Sequence, residues 1–123
     1  MPKKLKLLLV DDEESLRKIM KDELIVQGYD VSDAESGKTA LEILKKNRHD
    51  IVILDIRMEE MDGLEVLKHI RKDNLADKVI MLTGVDELKI ARDSVELGAN
   101  DFMTKPFQFQ NLFACINRVM KEA

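Results

Sequence analysis

The chain has 123 residues, 45% hydrophobic and 36% charged, which is enough for one hydrophobic core, too little for a second, and unlike a chain disordered throughout. Twenty Lys and Arg against 24 Asp and Glu leave a net charge of −4, so the broad basic footprint of a direct nucleic-acid binder is missing. A single cysteine excludes an intrachain disulfide and argues against a cysteine-built zinc site.

The opening Met1-Pro2-Lys3-Lys4 followed by Leu5 to Val10 has the outline of a signal peptide. Lys6 interrupts that apolar stretch, and Asp11-Asp12-Glu13-Glu14 ends it, whereas a secretory segment runs longer and ends in small residues. No apolar run approaches the ~20 residues that cross a bilayer. A cytoplasmic protein without membrane segments is expected. Leu7 to Val10 then reads as a first strand, buried on both faces. Leu16, Ile19, Met20 and Leu24 are spaced as a helix stripe, which Gly28 ends. Tyr29 to Ala34 is a weaker, mixed strand suited to a sheet edge. Ser36 caps a helix carrying Ala40, Leu41 and Leu44. Ile51 to Leu54 is the second fully buried run. Asp62 with Glu65 forms a variant capping box before Leu64, Leu67 and Ile70 or Arg71. Val79 to Leu82 is the third buried run. Asp86 is expected to cap a helix ending at Gly98, with a thin stripe of Leu88, Ala91 and Val95. Asn100 to Thr104 suits the other edge. Phe109, Leu112, Phe113, Ile116, Val119 and Met120 mark the last helix.

Strand and helix alternate five times, which predicts an α/β fold with a doubly wound parallel sheet and helices on both faces. The three buried runs take the centre and the mixed strands the edges. Order 2-1-3-4-5 satisfies this with right-handed crossovers and places the chain reversal between the first and third strands. Ligands bind such sheets at the carboxyl ends of the strands. There the sequence puts Asp11 and Asp12 after the first strand, Asp55 after the third, Thr83 after the fourth and Lys105 after the fifth. Each residue alone has an ordinary explanation as a cap, turn or surface charge. Their joint arrival at one edge does not. Two like charges 4 Å apart cost about 4 kcal/mol at an effective dielectric of 20. A bound cation, a raised carboxyl pKa or Lys105 must offset that repulsion. Hard oxygen donors suit Mg²⁺, and a carboxylate, a hydroxyl and an ammonium beside it are the parts of phosphoryl transfer with an aspartyl nucleophile.

These residues carry a family likeness across nearly the whole chain. Leu8-Leu9-Val10-Asp11-Asp12-Glu13, Ile53-Leu54-Asp55-Ile56-Arg57-Met58 with Met61-Asp62-Gly63, Met81-Leu82-Thr83-Gly84, and Gly98 to Phe107 stand in order and at a specific spacing. The chain resembles the receiver domain of a two-component response regulator, a single domain over 1–123 of the flavodoxin-like kind with five helices. The resemblance implies a phosphorylation-dependent switch, not an enzyme acting on other substrates. It implies that Asp55 accepts a phosphoryl group from a phosphohistidine of a sensor histidine kinase. Asp12 and Asp55 are implied ligands of Mg²⁺ (or Mn²⁺ in its place), with Asp11 acting through water and the Arg57 backbone carbonyl as a further ligand. Thr83 and Lys105 are implied to bind the phosphoryl group, and Phe102 to turn inward when Thr83 moves. The Lys105-Pro106 bond is implied to be cis. The helix 4–strand 5–helix 5 surface would then meet an output partner or effector domain, or a second copy as a homodimer. Glu59 stands where the family often has Pro, which makes that loop more acidic and less rigid. Arg57 is expected to tune dephosphorylation from beside the site.

Two alternative functions stand beside this reading. A Mg²⁺-dependent aspartyl phosphohydrolase of the haloacid dehalogenase type needs a second Asp two positions after the nucleophile, where this chain has Arg57. A receiver-shaped interaction module that is never phosphorylated is the other alternative, and the presence of all five site residues argues against it. A flavin or dinucleotide carrier lacks its Gly-rich loop. His49 and His69 fall away from the acidic edge and are read as neither ligands nor phosphoacceptors. Cys115 is read as a small hydrophobe, the scattered Met residues as core filling, and Tyr29 as edge-strand packing.

Overall fold

A computed structural model describes residues 4–121; Met1 to Lys3, part of the signal-peptide outline, lie outside the described residues. The elements run β1 (Lys6–Val10), α1 (Glu14–Val26), β2 (Asp30–Ala34), α2 (Gly37–Lys46), β3 (His49–Asp55), α3 (Gly63–Asp73), β4 (Ala76–Thr83), a 3₁₀ turn (Val85–Glu87), α4 (Leu88–Glu96), β5 (Asp101–Thr104) and α5 (Phe109–Lys121). The five strands form one parallel sheet in the order β2-β1-β3-β4-β5. Fold class and strand order are those expected from the sequence.

The three apolar runs are central because their side chains alternate between two covered faces. Leu8, Val10, Val52, Leu54, Val79 and Met81 point to α2, α3 and α4, where they meet Leu44, Leu67, Ile70 and Ala91. Leu7, Leu9, Ile51, Ile53, Ile80 and Leu82 point to α1 and α5, meeting Met20, Leu24, Leu112, Ile116 and Val119. Ser36 caps α2 by accepting from the Thr39 N–H, and Asp62 caps α3 by accepting from the Glu65 N–H. Gly28 (φ 98°) and Gly98 (φ 112°) follow α1 and α4 in the left-handed region, which glycine enters without steric cost.

Three details depart from expectation. Asp86 caps nothing; Gly84 precedes a 3₁₀ turn, and α4 begins at Leu88 without a side-chain cap. Ile19 is exposed, because α1 turns Leu16, Met20 and Leu24 toward the sheet and Ile19 away from it. On α4, Ala91 and Ser94 are the buried residues, while Leu88 and Val95 face outward.

Arg71, near the end of α3, ties down the amino-terminal edge of the sheet. Its guanidinium donates to the carbonyls of Gly98 (2.8 Å), Ala76 (3.2 Å) and Asp77 (3.2 Å) and to Asn100 Oδ1 (2.8 Å). The Asn100 oxygen also accepts from the Val79 N–H at 2.8 Å, so one fork joins α3, β4 and the α4–β5 turn. Replacing Arg71 with Met leaves these acceptors unpaired and is expected to cost about 2–3 kcal/mol in urea unfolding. Arg71→Lys should recover less than half, because a lone ammonium lacks the planar fork. Full stability in Arg71→Met would refute the fork's role.

Candidate functional site

Register alone brings the polar strand ends together. Val10 pairs with Leu54, so Asp11 lies level with Asp55. Asp55 pairs with Leu82, and Thr83 pairs with Thr104, so Thr83 stands one step and Lys105 two steps further along the same edge. Leu82 O accepts from the Ile56 N–H at 2.9 Å, which carries the chain past Asp55 in a set direction.

Asp11 is fully buried. One carboxylate oxygen accepts from the Glu13 N–H at 2.9 Å, and the other accepts from Lys105 Nζ at 2.9 Å. Asp55 is nearly buried; Oδ1 accepts from the Arg57 N–H at 3.1 Å and Oδ2 from the same Lys105 ammonium at 2.9 Å. Lys105 thus bridges two carboxylates, and the Lys105-Pro106 bond that follows is cis. Asp12 is exposed at the open side of the cluster. Asp11, Asp12 and Asp55 each offer an oxygen, all within 4.8 Å of one another. Three hard anionic donors at this spacing, one of them facing solvent, fit a divalent cation that keeps part of its water.

The electrostatics follow from burial. Burial pushes the Asp55 carboxyl up; the hydrogen bond and charge of Lys105 pull it down, and the charge of Asp11 pushes it up again, leaving it at about 6. Burial opposes the charge of Lys105, but its bonds to Asp11 and Asp55 prevail and raise its pKa. Of the three ways to offset that repulsion, two are present: Lys105 bridges Asp11 and Asp55, and the Asp55 carboxyl is raised.

The remaining residues are arranged less symmetrically. Thr83 is buried at the end of β4, with Oγ1 donating toward the carbonyls of Gly84 (3.1 Å) and Glu87 (3.5 Å). Phe102 is half-buried on β5 and packs against the cluster under α2, α3 and α4. The Arg57 side chain runs to the neighbouring loop, with Nε 3.1 Å from Glu87 Oε2 and Nη2 3.9 Å from Asp86 Oδ2. His49 lies at the start of β3, with Nδ1 2.7 Å from the Asn47 carbonyl, and His69 is exposed on α3; neither approaches the cluster. Cys115 is buried on α5 within the second core, as expected of a small hydrophobe.

Two residues of this edge escape a reading of the sequence. Arg17 on α1 donates to the Asp11 carbonyl (2.8 Å) while Asp33 holds its Nε (2.9 Å), which anchors the β1–α1 turn to β2. Its spacing of six from Asp11 has no distinguishing pattern. Glu87 is turned inward although its neighbour Asp86 is exposed, and two adjacent acidic residues give no clue to which of them is buried.

Comparison with known proteins places this geometry. A family model described as the response regulator receiver domain matches residues 7–117. The chain is 35% identical to the chemotaxis protein CheY of Bacillus subtilis over 116 residues, covering 94% of this chain and 97% of that protein. It is 36% identical over 118 residues to the alkaline phosphatase synthesis transcriptional regulatory protein PhoP of the same organism, covering 96% of this chain and 49% of PhoP. It spans 25% of the regulatory protein AtoC of Escherichia coli, so it equals only a quarter to a half of these longer regulators. Among solved structures, the receiver domain of NtrX from Brucella abortus matches with a TM-score of 0.90 at 28% identity, covering 95% of this chain and 99% of that one. The chemotaxis protein CheY4 of Vibrio cholerae matches with a TM-score of 0.89 at 31% identity over 95% and 99% of the two chains.

Proposed function

Since the chain belongs to the response regulator receiver domain family, signalling modules of two-component systems rather than conventional enzymes, we propose that it is a phosphorylation-dependent switch in which Asp55 takes a phosphoryl group from a phosphohistidine of a sensor histidine kinase. The observation that carries this reading is the convergence of Asp11, Asp12 and Asp55 within 4.8 Å, with the Lys105 ammonium 2.9 Å from two of them.

In the proposed transfer an Asp55 carboxylate oxygen bonds to phosphorus as the P–N bond of the donor breaks. The bonding pair stays on the imidazole nitrogen, which takes a proton from solvent. Asp11, Asp12, Asp55 and the Arg57 backbone carbonyl are the residues that would hold Mg²⁺, or Mn²⁺ in its place. Bound there, the cation supplies neutralisation of the charge on the phosphoryl oxygens. Lys105 supplies a second positive charge and keeps Asp11 compatible with its neighbour. The Thr83 hydroxyl exchanges its carbonyl partners for the phosphoryl group, and Phe102 follows into the space it leaves.

The readout is the α4–β5–α5 surface. Ala91 and Ser94 are the buried residues of α4, and Ile90, Val95 and Leu97 stand exposed on and just after it. A helix whose buried side chains are small moves at low cost. That face is proposed to meet the output partner, an effector domain or a second copy. The chain's net charge of −4 argues against a broad basic footprint for nucleic acid. No helix among the described residues is long and apolar enough to cross a membrane, and cytoplasmic residence is proposed with the kinase partner.

Intact mass after incubation with acetyl phosphate, with and without Mg²⁺, tests the proposal. Wild type should gain one phosphoryl group only with the metal, and Asp55→Asn should gain none. A folded wild type that takes no phosphoryl group from acetyl phosphate or from a phosphorylated sensor kinase would overturn it.

A further inference from the structure

We propose that Arg57 and Glu87 form a latch across the rim of the site: Glu87 withholds the Arg57 guanidinium in the resting protein, and a phosphoryl group on Asp55 competes for it and frees the β4–α4 turn. The inference rests on Asp55 being the phosphoryl acceptor and adds a regulatory pair to that reading.

Glu87 carries a carboxylate whose side chain is only 10% exposed, on a turn whose neighbour Asp86 is 73% exposed. A carboxylate so far removed from water needs a positive or donating partner. That partner is Arg57, at 3.1 Å, although the Arg57 side chain is 72% exposed. The guanidinium is therefore held by charge and not by packing, so it can leave without opening the core. Its main chain starts beside the reacting group, because the Arg57 N–H already donates to Asp55 Oδ1. Glu87 also reaches the switch hydroxyl: its carbonyl accepts from Thr83 Oγ1, and its N–H donates to the Gly84 carbonyl at 3.1 Å. Arg57, the Glu87 carboxylate, the Glu87 carbonyl and Thr83 thus form one connected path from the acceptor to the turn. A phosphoryl group carries close to two negative charges and three acceptor oxygens, against one charge on Glu87. Arginine binds such groups through two parallel N–H bonds, so the competition favours the phosphoryl group. Glu87, which touches no reacting atom, is a positioning residue.

Glu87→Gln and Arg57→Gln separate the two halves of the latch. Both should speed phosphoryl uptake from acetyl phosphate, because either one releases the turn. Their acyl-phosphate lifetimes should move in opposite directions, by about threefold or more each. Glu87→Gln gives the phosphoryl group an uncontested guanidinium and lengthens the lifetime; Arg57→Gln removes the guanidinium and shortens it. The double variant should have the lifetime of Arg57→Gln alone, since Glu87 then has nothing to withhold. A merely structural role for Glu87 does not produce opposite signs or this masking. A Glu87→Gln lifetime equal to wild type, or an effect that persists in the Arg57→Gln background, overturns the latch while leaving the acceptor reading intact. If wild type takes no phosphoryl group from any donor, the acceptor reading fails instead. Amide hydrogen exchange over residues 83–88 then decides the resting pair: faster exchange in both single variants supports it, and unchanged exchange overturns it.

Discussion

Asp55→Asn is expected to be more stable than wild type near pH 7 in metal-free buffer, and the advantage should vanish near pH 4. Burial among the strand ends, with the Asp11 charge beside it, holds the Asp55 carboxyl at about 6, against 3.8 for the free side chain. A raised acid pKa means that the folded state binds the proton more tightly than the unfolded chain does. Between about pH 4 and 6 the folded protein keeps a proton that the unfolded chain has lost, so stability falls as pH rises through this window. Above pH 6 the penalty is complete. A shift of about two units corresponds to at most about 3 kcal/mol, and Asn still accepts from the Arg57 N–H. Chemical denaturation of both proteins from pH 3.5 to 8 in the presence of a chelator measures the difference. Mg²⁺ should then stabilise wild type and leave Asp55→Asn nearly unchanged, because binding to the folded state alone adds to its stability. Equal stabilities throughout that range would mean that the site carries no electrostatic strain.

Gly63→Ala is the second large effect. Gly63 opens α3 and donates its N–H to the Ile56 carbonyl at 2.8 Å. A Cβ built there would lie on the Asp55 carbonyl oxygen, well inside contact distance, and 2.8 Å from Ile56 Cα. Those atoms are backbone, at the end of the central strand, and no rotamer change relieves them. Overpacking a rigid site costs about 1–3 kcal/mol or more, and here it also displaces the residue that bears the proposed nucleophile. The expected result is a loss of at least about 2 kcal/mol in urea, with phosphoryl uptake reduced further than stability alone explains. Gly37→Ala is a useful contrast, since its Cβ would meet Val66 Cγ2 at 2.7 Å and the Met61 side chain, which can shift. If Gly63→Ala were as mild as Gly37→Ala, the close approach of α3 to β3 would not be what positions Asp55.

Both effects come from the same design. The carboxyl edge of the sheet is where favourable packing is given up for placement. Carboxylates are buried in pairs, and a helix start is pressed onto the strand end that carries one of them. Proteins concentrate such local costs at functional sites and offset them in the core beneath.

Much of this was legible from the amino-acid order. Apolar runs of strand length marked β1, β3 and β4, because a strand covered on both faces has no polar positions to break the run. Their contrast with the mixed β2 and β5 was enough for the strand order. Ser36 and Asp62 were readable as caps because a cap bonds within its own helix, three residues on. Once the strands were placed, Asp11, Asp12, Asp55, Thr83 and Lys105 fell at one edge by counting. What the sequence could not determine depends on contacts far along the chain. Asp11 and Asp12 are equivalent in the sequence, and only the register of β1 against β3 buries the first beneath Lys105 and leaves the second to solvent. The direction of Arg57, the inward turn of Glu87, the loss of the expected Asp86 cap and the exposure of Ile19 were decided the same way, by which neighbour each segment meets after the sheet has formed. Periodicity and capping are local energies that a sequence displays directly; the choice between two adjacent acidic residues, or between two directions for one guanidinium, is settled by partners thirty or more residues away.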